Sequence, residues 1–155
     1  MADMLVNLLN LPEDKGFEHL KQEGILIRRI RSFELSILRR FIIENFSERW
    51  ADEASVSLKH DPATCFIATK DGQIIGFAAY ECTTRDYFGP TGVNEKARGK
   101  GVGKALLLAC LHAMREMGYV YAIIGGAGPT GFYSKACGAV PIAENWPSFY
   151  TDALK

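Results

Sequence analysis

The sequence predicts a single α/β domain with elements in the order β-α-α-β-β-β-α-β-α-β. Three observations lead there. Two runs rich in β-branched and aromatic residues, 64–69 and 73–80, flank Lys70-Asp71-Gly72, and an Asp-Gly pair in that setting is a strong hairpin signal. Val102, Leu106, Ala109/Cys110, Ala113 and Met117 recur along one helical face, and Gly118 closes the run. Residues 119–125 are almost continuously apolar, as suits a central strand covered on both faces. At 155 residues the chain fits one compact domain with a core of its own.

Residues 1–23 read as an extension ahead of a domain at 24–155, with a short helix around 4–9 and then a polar stretch containing Pro12 and Gly16. Residues 24–31 read as the first strand. Ser32 suits the N-cap of a helix whose Leu35, Leu38, Ile42 and Phe46 share a face. A second helix starts at Ser47 and runs towards Lys59, and Asp61-Pro62 stops it. The hairpin follows, then a strand near 87–93, a glycine-rich loop, the long helix and the apolar strand. Pro129 suits the start of a helix carrying Phe132 and Tyr133. Residues 140–143 form the last strand, before an aromatic tail with Trp146, Phe149 and Tyr150.

Lys plus Arg equals Asp plus Glu, 18 each, so no global field steers the chain to nucleic acid or to an anionic membrane. No apolar run approaches the ~20 residues of a spanning helix. The start, Met1-Ala2-Asp3-Met4-Leu5, lacks the basic region of a secretory signal. Cys65, Cys82, Cys110 and Cys137 are widely spaced within apolar patterns, as the reduced, buried thiols of a cytoplasmic protein would be. His19, His60 and His112 pair with no cysteine at ligand spacing, so no metal site is expected.

The segment Arg98-Gly99-Lys100-Gly101-Val102-Gly103-Lys104 carries most of the chemistry. Its alternate glycines leave backbone N–H groups uncovered at the first turn of a helix. A helix start has unpaired donors and the positive end of the dipole, so it favours phosphate. Arg98, Lys100 and Lys104 add positive charge. A mononucleotide P-loop does not fit, because Arg98 stands where its first glycine should be and Ala105 where a hydroxyl is required. The dinucleotide fingerprint fails at Lys104 in one register and at Leu106 in the other. A flexible turn ahead of a helix is the plain structural alternative.

What remains, R-x-x-G-x-G before an amphipathic helix, resembles the GNAT superfamily of acyl-CoA-dependent N-acyltransferases. That family's central motif, Q/R-x-x-G-x-G/A, is matched by Arg98, Gly101 and Gly103. Phe88-Gly89-Pro90-Thr91-Gly92-Val93 is similar to the family's fourth strand. Phe132-Tyr133-Ser134-Lys135-Ala136-Cys137-Gly138-Ala139 is similar to its F-Y-x-K-x-G-F/A segment, and the matches together span residues 63–142. The resemblance implies a GNAT-like fold, with a mixed central β-sheet flanked by helices, and acetyl-CoA as acyl donor without a metal. It implies that the amides of Gly99, Gly101, Val102, Gly103 and Lys104 meet the pyrophosphate, with Arg98 adding charge. The pantetheine arm would lie along the splayed fourth strand, where Val93 offers its backbone N–H and C=O.

Tyr133 matches the family's usual general acid near the CoA sulfur, and packing of its helix is the alternative reading. The glutamate that many relatives carry on the fourth strand has no counterpart in 88–93. Glu81, Asp86 and Glu95 are then the nearest carboxylates, and Glu81 stands first as the base, acting directly or through water. His112 lies mid-helix and reads as a surface or packing residue. In the family, the first two helices and the segment after the last helix recognise the acceptor. Here those regions hold Phe46, Glu48, Trp50 and Asp52, then Glu144, Trp146, Phe149 and Tyr150. Carboxylates beside aromatics suit a cationic amine, and helix-face charge with aromatic core is the alternative. The expected activity is acetyl transfer from acetyl-CoA to the primary amine of a small molecule. A protein amine, or a catalytically silent acyl-CoA sensor, are the other readings. No nucleic-acid or membrane partner is expected, and a homodimer is consistent with the family.

Overall fold

The computed structural model describes residues 1–155. In chain order the elements are β1 (Met4–Asn7), α1 (Phe17–Gln22), β2 (Ile25–Arg29), α2 (Leu35–Asn45), α3 (Glu48–Ser55), β3 (Cys65–Lys70), β4 (Gln73–Tyr80), β5 (Tyr87–Val93), α4 (Val102–Glu116), β6 (Tyr121–Ile124), α5 (Thr130–Cys137) and β7 (Val140–Pro141). From β2 onwards this is the expected order. The seven strands form one mixed sheet, β2-β3-β4-β5-β6-β1-β7, in which β5 and β6 are parallel and every other neighbouring pair is antiparallel.

The local signals hold where they are strongest. Asp71 (φ 51°) and Gly72 (φ 73°) turn the β3–β4 hairpin in the left-handed region, as a two-residue connection requires. The Ser47 hydroxyl accepts from Trp50 N–H at 3.1 Å and caps α3. Gly138 ends α5 in the left-handed conformation at φ 71°.

Three expectations are corrected. Residues 4–7 form a strand, not a helix: Met4 and Val6 are fully buried while Leu5 is half-buried and Asn7 exposed, and the strand is hydrogen-bonded between β6 and β7. Pairing on both edges outweighs the weak helical preference of four residues. Ser32 does not cap α2; it lies in a 3₁₀ turn, and the Glu34 carboxylate accepts from Arg31 N–H at 2.8 Å while gripping Arg28 at 2.7 and 2.9 Å. That grip holds the Glu34 carboxyl down at about 2. Finally, α4 is buried nearly all round, not along one face. Leu8, Leu11 and Leu20 from the first 23 residues join its core, and a ring nitrogen of the buried His112 lies 2.8 Å from the Pro12 carbonyl oxygen.

Side-chain alternation divides the core between the sheet's two faces. Ala78 and Tyr80 of β4, Phe88 of β5 and Ile124 of β6 pack with α4 and α5. Ile67 of β3 and Phe77 and Ala79 of β4 pack with α2 and α3 on the other side. All four cysteines are buried and unpaired.

Candidate active site

The parallel neighbours β5 and β6 pair only at Tyr87↔Ile123 and Phe88↔Ile124, and then part. The reason lies in four residues. Gly89 (φ 124°) and Pro90 together oppose Ala79 in a bulge, and Pro90 has no N–H to give a ladder. Across from them, Gly125 and Gly126 follow the end of β6, with Gly126 at φ 55°. A cavity of about 810 Å³ fills the opening and extends to the start of α4.

The polarity of β5 is set by its other neighbour. Asn94 N–H donates to Ile75 C=O at 2.8 Å, and hydrogen-bonded pairs alternate along an antiparallel ladder. Gly76↔Val93 is therefore a non-hydrogen-bonded pair, and the backbone N–H and C=O of Val93 point away from β4 into the gap. Arg98 Nε donates to that C=O at 3.1 Å, which leaves the oxygen's second lone pair and the whole N–H open to a ligand.

At the wide end, Gly99 (φ 84°) and Gly101 (φ 90°) take left-handed conformations that steer the chain into α4. The first helical bond is Ala105 N–H to Gly101 C=O at 3.0 Å, which leaves the N–H groups of Val102, Gly103 and Lys104 without partners. A Cβ on Gly103 would sit 3.7 Å from Val93 Cγ2 and 3.9 Å from Phe132 Cζ, in open contact with the cavity. Three orphaned donors, a bare Cα and the cations Arg98 and Lys104 fit an anion such as the pyrophosphate of CoA.

At the narrow end stands Tyr133, held by α5 with its ring edge-on to Phe88 (6.3 Å between centroids) and Phe132 (5.1 Å). Its residue is 6% exposed, and its hydroxyl has no partner within the chain while the side chain lines the cavity. Burial, with a smaller push from Cys137, raises the phenol to about 12, so it is a proton-bearing donor at neutral pH. The α2–α3 junction forms another wall. Phe46 lies so close over Gly92 that a Cβ there would come within 2.3 Å of its ring, and Trp50 stacks behind it at 5.4 Å.

The carboxylates are elsewhere. Among the cavity's lining side chains the charged ones are Arg98 and Lys104, with no carboxylate or imidazole. Glu81 (φ 59°) is 8% exposed and turned away: one oxygen accepts from the Tyr119 hydroxyl at 2.7 Å and the other from Asp86 N–H. Both oxygens are engaged, so the structure does not bring Glu81 to Tyr133. Asp86 lies beside it, pushed up to about 6 by burial and by the Glu81 charge. Glu95 sits on an exposed 3₁₀ turn. Of the acceptor candidates, Phe46 and Trp50 line the cavity, whereas Asp52 pairs with Arg39 at 3.0 Å. Glu144, Trp146 and Phe149 line a second cavity, and the Tyr150 hydroxyl lies over Gly125. The residues that open the gap were legible in principle, since Gly89-Pro90 inside a strand pattern and Gly125-Gly126 after an apolar run are both ladder-breaking signals.

A model of the acetyltransferase (GNAT) family matches residues 30–139. The chain is similar in fold to the glucosamine N-acetyltransferase region of a fungal multidomain β-N-acetylglucosaminidase, with a TM-score of 0.73 at 16% identity over 91% of this chain and 19% of that one. A GCN5-related N-acetyltransferase from Sphaerobacter thermophilus gives 0.70 at 21% identity, over 91% of this chain and 48% of that one. A GNAT family N-acetyltransferase from Escherichia coli, solved in complex with CoA, gives 0.50 at 26% identity, over 62% of this chain and 59% of that one. This chain therefore spans less than two thirds of the length of each. No curated protein sequence matches it. Because the family match runs from α2 through α5, across the elements that form and flank the parted strands, the chain belongs to the acetyltransferase (GNAT) family.

Proposed function

We propose that the protein transfers acetyl from acetyl-CoA to the primary amine of a small molecule. The observation that best supports this is the gap between β5 and β6, which joins an anion-binding helix start to a protonated phenol. In this reading the loop amides of Gly99, Gly101, Val102, Gly103 and Lys104, with Arg98, hold the pyrophosphate. The Val93 N–H takes a pantetheine carbonyl.

The amine lone pair attacks the thioester carbonyl carbon, the C–N bond forms, and the C–S bond breaks with its electron pair on sulfur. Positioning the two reactants supplies most of the rate. No carboxylate or imidazole lines the cavity, so the amine enters as the free base and after attack releases one of its two protons to water, keeping the other as the amide N–H. Tyr133 stabilises the departing sulfur as a hydrogen-bond donor. Burial that raises the phenol to about 12 favours donation of a hydrogen bond to the sulfur over full transfer of the proton. The tail lies across the opposite face of the gap, with Tyr150 over Gly125, which favours a small acceptor over an extended peptide.

Calorimetric titration with CoA, acetyl-CoA and ATP, followed by an amine panel scored by thiol release, tests the reading. The expected result is CoA binding tighter than ATP and turnover of small amines. Absent CoA binding would overturn the transferase; turnover of peptide lysines alone would overturn the small-molecule acceptor.

A further inference from the structure

Hydrogen-bonded pairs recur at every second residue of an antiparallel ladder. Leu8 N–H donates to Val120 C=O at 2.8 Å, so along β1 and β6 the bonded pairs fall on Val6↔Ala122 and Met4↔Ile124. The next would join Ala2 to Gly126. Instead, Ala2 C=O accepts from Ala127 N–H at 3.0 Å, one residue further on. Gly126 is therefore the extra residue of a β-bulge, and its φ of 55° is the left-handed backbone that a glycine takes at such a position.

A bulge leaves one backbone donor without its rung, and here a side chain takes it. Gly126 N–H donates to Asp3 Oδ1 at 2.8 Å, while Asp3 C=O, on the other edge of its strand, accepts from Ile142 N–H at 2.8 Å. Asp3 thus ties the end of β6 to the residue that follows β7. The consequence appears on the β5 side. After Ile123 N–H to Asp86 C=O at 3.0 Å, the next parallel rung would run from Gly125 N–H to Phe88 C=O, and it is not made. Pro90 has no N–H for the rung beyond. A bulge bends the strand that carries it, and this one turns Gly126 and Ala127 into a wall of the larger cavity. The family match begins at residue 30, so Asp3 lies outside it.

We propose that Asp3 is a positioning residue for the acyl donor: its carboxylate holds the bulge at Gly126, and the bulge keeps the end of β6 clear of β5. Without that acceptor, Gly126 N–H regains a partner by returning to Ala2 C=O. The bulge is then undone, the strand straightens, and Gly125 N–H moves towards Phe88 C=O. The slot for the pantetheine arm narrows in most molecules, and the apparent affinity for CoA falls by the fraction in which it stays open. The inference rests on the reading of the gap as the CoA slot, and its test separates the two.

Asp3→Ala removes the acceptor, whereas Asp3→Asn removes the charge and keeps an acceptor oxygen. Both variants and the wild type are titrated calorimetrically with CoA and with 3′-phospho-ADP, the portion of CoA that reaches the loop before α4 and lacks the pantetheine arm. Asp3→Ala should weaken CoA about tenfold, as an open fraction of about one in ten requires, and leave 3′-phospho-ADP within threefold of wild type. Asp3→Asn should hold CoA within threefold. General damage to the fold would instead weaken both ligands alike. Unchanged CoA affinity in Asp3→Ala, equal losses of the two ligands, or a tenfold loss of CoA in Asp3→Asn overturns the inference and leaves the transferase standing. The last of these decides even where the alanine variant does not fold. Failure of the wild-type protein to bind CoA overturns both.

Discussion

Replacing Gly103 with valine separates the binding role of the glycine loop from its role in folding. The position lies in the first turn of α4 with helical backbone, and a Cβ there meets Val93 Cγ2 at 3.7 Å and Phe132 Cζ at 3.9 Å, both ordinary contact distances. The fold should therefore accept the side chain, and exchanging glycine for valine inside a helix gains a few tenths of a kcal/mol in propensity, on the order of 0.3. The branched methyls, however, would occupy the space in front of the unpartnered N–H groups of Val102, Gly103 and Lys104. Charge-assisted hydrogen bonds to an anion contribute ~1.5–3 kcal/mol each. Losing two of them weakens CoA by at least ~100-fold, at 1.4 kcal/mol per decade. Calorimetry gives the Kd and thermal unfolding the stability. A CoA affinity within threefold of wild type, in a variant of unchanged Tm, would refute the assignment of these amides. Gly101 is the poorer probe, because its φ of 90° strains any other side chain and would confound folding with binding.

Tyr133→Phe should lower kcat by ~100-fold with CoA affinity unchanged; an unaffected turnover would remove the phenol from the reaction. Gly92→Ala forces a Cβ to within 2.3 Å of the Phe46 ring, and the displaced aromatic wall should cost ~1–3 kcal/mol, visible as a lower Tm. Its partial rescue by Phe46→Leu would locate the cost in that contact, and equal destabilisation in both backgrounds would place it elsewhere. Asp86→Asn should stabilise the protein, in a pH-dependent way. The Asp86 carboxyl is raised from an ordinary 3.8 to about 6 by burial and by Glu81, and one of its buried oxygens has no partner. A raised carboxyl leaves the fold at full stability below 3.8 and weakens it as pH climbs through about 6. That shift corresponds to ~3 kcal/mol before screening and to ~1 kcal/mol at this partly exposed site after it. The gain in Tm should therefore be larger at pH 8 than at pH 4; equal gains at both would contradict the account.

Residues whose signal is local were read correctly. Asp71-Gly72 needs only its own backbone to turn the chain, Ser47 only the N–H of Trp50, and Gly118 only its freedom at φ 103°. Arg98, Gly101, Gly103 and Tyr133 belong to short motifs whose spacing survives in a linear chain, and all four line the cavity. The Met4–Asn7 strand was misread because its structure comes from partners more than 100 residues away: Met4 pairs with Ile124 on one side and Pro141 on the other. Glu81 was misplaced for a similar reason. Nearness in sequence to the fourth strand suggested a base, whereas its left-handed turn delivers both oxygens to Tyr119 and the Asp86 amide.

The linear order of residues was enough to establish an α/β chain, the hairpin, the glycine loop at a helix start and the family they resemble, because each depends on backbone preferences and spacings over fewer than about 15 residues. The gap between β5 and β6, the free N–H of Val93 and the face on which each cavity opens depend on register between distant strands. Register is set by which side chains the assembled core will bury, and one residue of slip would exchange Phe88 for Tyr87 and turn every side chain of the strand to the opposite face of the sheet.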